Sequence, residues 1–144
     1  MHEIDRTALA LEALEHVVDG RMREAARVMG EIGDHSDIGE MFGVCCALAE
    51  AARQQLVKIH KPGPDAFWAA MLPTPHGACY PAHLFAVRFV CSFANGDVDT
   101  CRALYGTALE AGQLEYRLSI DALLVDVGSL ARRGQELSDD TSSR

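Results

Sequence analysis

Apolar side chains recur every three or four residues along most of the chain, and this spacing constrains the fold more than any other feature. In the first predicted helix, residues 5–18, the stripe consists of Leu9, Leu11, Leu14, Val17 and Val18. This period places apolar side chains on one face of an α-helix, whereas a half-buried strand would show strict alternation. Alanine and leucine supply most of the apolar content, and aromatic residues are only 6% of the chain. Because alanine and leucine favour helix over strand, composition supports the same interpretation.

Glycine and proline separate the periodic segments, since both disfavour a continued helix. We predict six further helices, over residues 21–32, 37–59, 65–71, 81–95, 97–111 and 113–133. Ser36 is the predicted N-cap of the third helix, because its hydroxyl can accept a hydrogen bond from the first turn. The predicted fold class is therefore all-α, an antiparallel bundle of about six or seven helices with short connections. We expect a single domain over residues 1–134 and a polar, disordered tail over residues 135–144.

The third predicted helix carries a second face of small residues, at Gly39, Gly43, Ala47 and Ala51. Each glycine inside a helix costs about 1 kcal/mol relative to alanine. Small side chains allow another helix to approach closely, so we predict that a neighbouring helix covers this face.

The order of helices and breaks occurs twice, at an offset of 76 residues from Gly20 to Gly96. At this offset Met29 aligns with Tyr105, and the apolar residues of both segments share one phase. Two interpretations are open, a true repeat or the ordinary pattern of antiparallel helical pairs. The two halves and the Pro-rich segment between them are residues 5–60, 81–133 and 61–80.

The segment 96–110 resembles the second helix of a tetratricopeptide repeat. That motif has a turn glycine, then a small residue, an aromatic residue four positions later, and another small residue. Gly96, Cys101, Tyr105 and Ala108 fill these places. The resemblance implies a short tetratricopeptide-like superhelix of helical hairpins, a fold that binds proteins.

The chain is acidic, with a formal net charge of −8 and an isoelectric point of about 5.1. It should repel nucleic acids and anionic membranes, because both are bound mainly through lysine and arginine. We therefore predict neither as a partner. The densest basic group is Arg21, Arg23 and Arg27, with Glu24 and Glu31 close in sequence. These arginines form either a solvated salt-bridge face or a docking patch for an acidic peptide.

The candidate metal site is His76-x2-Cys79-x3-His83, at the end of the Pro-rich segment. Imidazole and thiolate groups at such spacing can bind zinc, with Cys91 or Cys101 as a fourth ligand. No paired Cys-x2-Cys motif accompanies them, so the alternative is that they are ordinary loop and helix-start residues. Apart from zinc, we predict no cofactor.

No pattern of catalytic residues stands out. Cys45 and Cys46 lie in an apolar helical segment with no base beside them, which indicates core packing. Glu12 and His16 are one helical turn apart, which suits acid–base chemistry or a solvated helix face. The phosphate-binding loop, the dinucleotide fingerprint, the nucleophile elbow and the His-Glu-x2-His motif are missing from the sequence. A non-enzymatic role is therefore favoured.

Asp121 interrupts the apolar stripe of the last predicted helix. A buried carboxylate needs a partner, so we predict a structural ion pair with Arg102 or with Arg117, the latter one turn away.

The leading functional prediction is a helical interaction module that binds a protein partner or a second copy of itself. Its support is that the helices have more apolar faces than a monomer of this size comfortably buries. Trp68 and Tyr80 join the three arginines as candidate partner-binding residues. The alternatives are a small-molecule- or metal-binding domain that uses the Pro-rich segment, and an acidic accessory regulator that contacts nucleic acid through Arg21, Arg23 and Arg27, against the acidity of the chain. An odd number of cysteines and an N-terminus unlike a secretory signal indicate the cytoplasm.

Overall fold

The computed structural model describes residues 4–61, 68 and 81–142, and within these ranges the chain forms α-helices and no strand. The six helices are α1 (Arg6–Val18), α2 (Met22–Asp34), α3 (Ile38–His60), α4 (Pro81–Ala94), α5 (Val98–Glu110) and α6 (Gln113–Ser142). The prediction of an all-α bundle of six or seven helices is confirmed.

The N-cap of α3 is Asp37, and the prediction of Ser36 was wrong. Asp37 Oδ1 accepts a hydrogen bond from Glu40 N at 2.7 Å, and Glu40 Oε1 accepts one from Asp37 N at 2.9 Å. This reciprocal capping box satisfies two backbone donors that no helical carbonyl can reach. Ser36 Oγ instead accepts a hydrogen bond from Arg6 Nε at 2.7 Å. Asp37 therefore caps the helix in place of Ser36, because its side chain and that of Glu40 each accept a hydrogen bond from the other's backbone N–H.

The central helix of the bundle is α6, which packs against α1, α3, α4 and α5. The largest fully buried side chains include Phe89, Ile32, Leu48 and Leu123. They come from α4, α2, α3 and α6, and they belong to one connected apolar cluster. A single core therefore spans both halves of the chain.

One glycine lets a neighbouring helix approach α6 closely. A Cβ added at Gly128 would overlap the Cβ and Cγ1 of Val17 on α1. A Cβ at Gly134 would meet only the flexible end of the Gln55 side chain, which can move aside. Gly134 lies inside α6, so the prediction that the last helix ends before it was wrong. Residues 135–142, predicted as part of a polar tail, continue α6.

The small-residue face of α3 has no close neighbour at its glycines. A Cβ at Gly43 would meet nothing within 4 Å, and one at Gly39 would meet only Asp37 of its own capping turn. The helices α1, α4 and α6 contact α3 along its apolar face instead. Within the described ranges, the helix predicted to cover these glycines is therefore absent.

The two halves of the chain have the same helices in the same register. Adding 76 to the bounds of α2 gives 98–110, which are the bounds of α5. The same shift places α1 on residues 82–94, inside α4, and α3 on residues 114–136, inside α6.

The turn after the first helix has the same geometry in both halves. Gly20 and Gly96 have φ angles of 79° and 78°, a left-handed conformation that glycine tolerates best. Gly20 N donates to Val17 O at 3.0 Å, and Gly96 N donates to Phe93 O at 2.9 Å. Val17 and Phe93 are themselves 76 residues apart, so the hydrogen bonds repeat with the helices.

Candidate functional site

The crevice between α5 and α3 is sealed by the chain's own side chains. The Tyr105 and Phe42 rings lie 5.3 Å apart, centroid to centroid. Tyr105 Oη donates to the Ile38 carbonyl oxygen at 2.7 Å and lies 2.5 Å from Tyr116 Oη. Because Tyr105 has one hydroxyl proton, Tyr116 donates the second hydrogen bond. We call Phe42, Tyr105 and Tyr116, with the buried Cys45, the sealed crevice. Ile38 contributes only its backbone carbonyl oxygen there.

Burial suppresses ionisation in the sealed crevice. It raises the pKa of Tyr105, because the phenolate would lose its solvation there. Burial also raises the pKa of the Cys45 thiol to about 12. A thiol so far from ionisation is a poor nucleophile at neutral pH, so Cys45 is a packing residue.

The equivalent place between α2 and α6 is an open cleft with a volume of about 400 Å³. Residues of α2, the start of α3 and the first turns of α6 line it. Its apolar side chains include Ala26, Met29, Met41 and Ile120. The volume falls within the range of ligand-binding pockets, and the mixture of apolar and charged walls is typical of them.

Two differences between the halves account for much of this opening. Met29 of α2 occupies the position that Tyr105 occupies in α5, and Asp121 of α6 occupies the position of Cys45 in α3. A thioether has neither the ring nor the hydroxyl that close the sealed crevice. A carboxylate keeps its solvation where a thiol can be buried.

Exposed apolar side chains lie both at the cleft and elsewhere on α6. Ile38, which lines the cleft from α3, is 60% exposed and extends its apolar wall outward. Leu118, the equivalent of Phe42, is 44% exposed, and Leu114 is 69% exposed. These two leucines are not among the residues that line the cleft, so they form a separate apolar surface on α6.

The rim of the cleft carries Asp34, Asp37, Asp121 and Arg117. Partial burial raises the pKa of Asp121, and the charge of Arg117 lowers it. In the part of the chain that the structure describes, neither Asp34 nor Asp121 has an ion pair within 4 Å. The rim therefore has a net charge of −2 when all four groups are ionised.

The structural ion pair predicted for Asp121 was wrong. Arg102 lies 3.4 Å from Asp99 on its own helix. Arg117 acts on Asp121 through its charge but makes no ion pair with it within 4 Å. Asp121 needs no such partner, because it lies at the open cleft and remains accessible to water.

Arg6 holds the loop that forms one end of the cleft, a role that sequence patterns did not suggest. Its Nη2 lies 2.9 Å from Glu40 Oε2 and also donates to the His35 carbonyl oxygen. Its Nε donates to Ser36 Oγ. The α2–α3 connection is therefore tied to the start of α1, and this restricts movement of the cleft wall.

The predicted arginine patch on α2 lies outside the cleft. Arg21 Nη2 is 3.1 Å from Asp19 Oδ2, and Arg27 Nε is 3.2 Å from Glu24 Oε2. Arg23 is exposed and has no ion pair among the residues that the structure covers. This geometry agrees with the solvated salt-bridge face that was one of the two interpretations.

Trp68 is held by the turn that ends α4. Asn95 Oδ1 accepts from Trp68 N at 2.7 Å, and Asn95 Nδ2 donates to Trp68 O at 2.7 Å. The His60 ring lies 5.8 Å from the indole. Trp68 itself is not helical, which disagrees with the helix predicted over 65–71. The rest of that predicted helix and Tyr80 lie outside the described residues.

The predicted metal site is only partly within the structure. His76 and Cys79 lie outside the described residues, and His83 Nδ1 is 2.7 Å from Asp126 Oδ2. Burial raises the pKa of Asp126, and His83 lowers it by its charge and hydrogen bonding. Among the side chains that the structure describes, up to residue 138, no group of His, Cys, Asp and Glu is arranged to hold a metal ion. The zinc site stays a prediction.

Glu12 and His16 also have a structural explanation. Their side chains are 3.9 Å apart on α1, and His16 Nδ1 accepts a hydrogen bond from Arg21 Nε at 3.0 Å. The imidazole thus links α1 to the start of α2 in the turn between them.

Comparison with protein-family models, with curated proteins and with solved structures gives no match. The tetratricopeptide resemblance therefore stays a prediction. Among the described helices, none combines the length and hydropathy needed to cross a bilayer.

Proposed function

We propose that this chain is a non-enzymatic helical interaction module that holds a segment of a partner protein in the α2–α6 cleft. The observation that carries the proposal is the contrast between the cleft and the sealed crevice. Tyr105 of α5 fills the crevice against α3, whereas Met29 of α2 leaves the equivalent place against α6 open.

The walls of the cleft suit a helical segment. Such segments bind by laying one apolar face into a groove between helices, with polar contacts at the edges. Met29, Met41 and Ile120 supply an apolar floor, and two methionines let that floor adapt to different side chains. The free thiols Cys45, Cys46, Cys91 and Cys101 support a reducing, cytoplasmic setting for this interaction.

Blocking the cleft without disturbing the fold tests the proposal. Gly30 lines the cleft, and a Cβ there meets nothing within 4 Å, so Gly30→Leu fills the cleft with a side chain. The substitution also removes a helical glycine, which favours folding by about 1 kcal/mol. Gly106→Leu is the matched control, because Gly106 occupies the equivalent position in α5 and also faces open space.

The measurement is a selection of random peptides against the full chain. We expect the selected peptides to bind Gly106→Leu like the unsubstituted protein and to lose at least about tenfold in affinity for Gly30→Leu. Peptides that bind all three proteins equally would show that the cleft is not the docking site.

Self-association is a second candidate function, favoured by the apolar outer surface of α6. Leu114, Leu118 and Val125 are exposed and share one side of the helix. We expect light scattering at high micromolar concentration to show a dimer that Leu118→Glu converts to monomer. Val57→Glu, an equally exposed apolar position on α3, should leave the dimer intact. A strict monomer before substitution would rule out this function.

A further inference from the structure

We infer that the partner segment is an amphipathic helix with lysine or arginine on the flank of its apolar face. This inference rests on the proposed function and adds the chemistry of the partner. It follows from the cleft's charges and from the residues that differ between the cleft and the sealed crevice.

The negative charge of the rim favours a positively charged partner. Asp34 and Asp121 have no ion pair within 4 Å in the described ranges, and Arg117 is the one cation among the lining residues. A lysine or arginine placed between these carboxylates would supply the counter-charge that the chain itself does not. An acidic segment would add like charge to an already negative rim.

The exposed apolar side chains favour an amphipathic peptide segment over a small cation as the occupant of the cleft. Phe42 is covered by Tyr105 in the sealed crevice, whereas its equivalent Leu118 is left 44% exposed. Within the cleft itself, Ile38 is 60% exposed, and only an apolar side chain from outside would bury it. A helical segment offers such groups at i, i+3, i+4 and i+7, with basic residues at the edges.

The overall charge makes a basic partner a better occupant than a second copy of the chain. The protein has a formal net charge of −8, so two copies repel each other at a distance. A basic segment is attracted over the same distance. Its binding should weaken as salt screens the attraction.

Two matched synthetic peptides test the chemistry on the full chain. Both carry leucine at helical i, i+3, i+4 and i+7 spacing, and one has lysine where the other has glutamate. A third peptide has the composition of the lysine peptide with the leucine phase scrambled. By fluorescence polarisation we expect the lysine peptide to bind at least about tenfold more tightly than either of the others.

Charge-matched variants show whether binding is local to the cleft. Asp121→Asn and Asp99→Asn each remove one negative charge, but Asp99 is fully exposed on α5 and does not line the cleft. We expect about fivefold weaker binding of the lysine peptide to Asp121→Asn and less than about twofold to Asp99→Asn. Equal losses for the two variants, or equal binding of the scrambled peptide, would overturn the inference in favour of diffuse attraction.

The selected peptides separate failure of this inference from failure of the proposed function. If they depend on an open Gly30 position but are neutral or acidic, the partner chemistry is wrong and the docking site stands. If no selected peptide is sensitive to Gly30→Leu, both are wrong. Basic amphipathic peptides that are lost on Gly30→Leu support both.

Discussion

The sealed crevice between α5 and α3 and the cleft between α2 and α6 are related by the 76-residue offset, yet the chain fills one and leaves the other open. In the second half, Tyr105 contacts Phe42 and donates to the start of α3. In the first half, Met29 stands in place of the tyrosine, and the facing helix presents Asp121. The difference shows that one pair of equivalent helices is closed by its own side chains while the other leaves a cleft, which is where the proposed function places a partner.

Tyr105→Met should give the largest effect, because it makes the sealed crevice resemble the cleft. The substitution removes the ring from Phe42 and two hydrogen bonds from a buried position. We expect the free energy of unfolding to fall by about 3 kcal/mol, measured by urea denaturation. Met29→Leu, an apolar change of similar volume in the first half, should cost less than about 1.5 kcal/mol. Equal losses would mean that the sealed crevice contributes no special stability.

Gly128→Ala tests the close crossing of α1 with α6. The equivalent residue in α3 is Ala52, so alanine is accepted at this position in one half only. At Gly128 the new Cβ would overlap Val17, a short and stiff side chain. We expect a net loss of about 1–2 kcal/mol after the gain in helix propensity is included.

The control for that crossing is Gly106→Ala, which has the same propensity gain and no neighbour within 4 Å. It should stabilise the protein by up to about 1 kcal/mol. A thermal unfolding experiment in which both variants are stabilised would contradict the close approach at Gly128.

Alkaline pH should weaken the protein through the sealed crevice. Burial raises the pKa of Cys45 from 9.0 to about 12, so the folded state keeps a proton that the unfolded state loses. The contribution of Cys45 to the free energy of unfolding is fully present well below pH 9 and falls by about 1.4 kcal/mol between pH 8 and pH 10. Burial also raises the pKa of Cys101, to about 11, so that thiol adds a loss of the same sign. Urea titrations at several pH values measure this slope. Cys45→Ala should reduce it by the contribution of one proton, and an unchanged slope would exclude Cys45 as its source.

Asp121→Asn should have the smallest effect on stability and the opposite sign. Partial burial raises the pKa of Asp121 in the folded state, so its charge opposes folding once pH exceeds the ordinary aspartate pKa. We expect the free energy of unfolding to rise by less than about 0.5 kcal/mol at pH 7. The effect is small because the residue is still largely exposed and water screens its charge. The gain should vanish on acidification below pH 4. Destabilisation at pH 7 would show that Asp121 is a structural residue rather than part of a recognition surface.

The positions of the helices could be predicted from the sequence because their causes are local. Apolar period, the glycine turns at Gly20 and Gly96 and the breaks between segments depend on residues within a few positions of one another. The alignment of Met29 with Tyr105 also follows from the sequence. The sequence does not predict that Tyr105 seals a crevice, because a phenol does so only when another helix lies in front of it.

The sequence by itself determined the helical class, the turn chemistry and the spacing of the halves, because hydrogen bonds and side-chain period within one helix decide them. Tertiary structure alone decided that Gly128 is needed where α1 crosses α6, that Gly43 faces open space, and that Asp121 borders a cleft. Each of these depends on which distant helix lies over the residue. The apolar period of a single helix indicates that one face is buried, but it does not indicate which other helix buries that face.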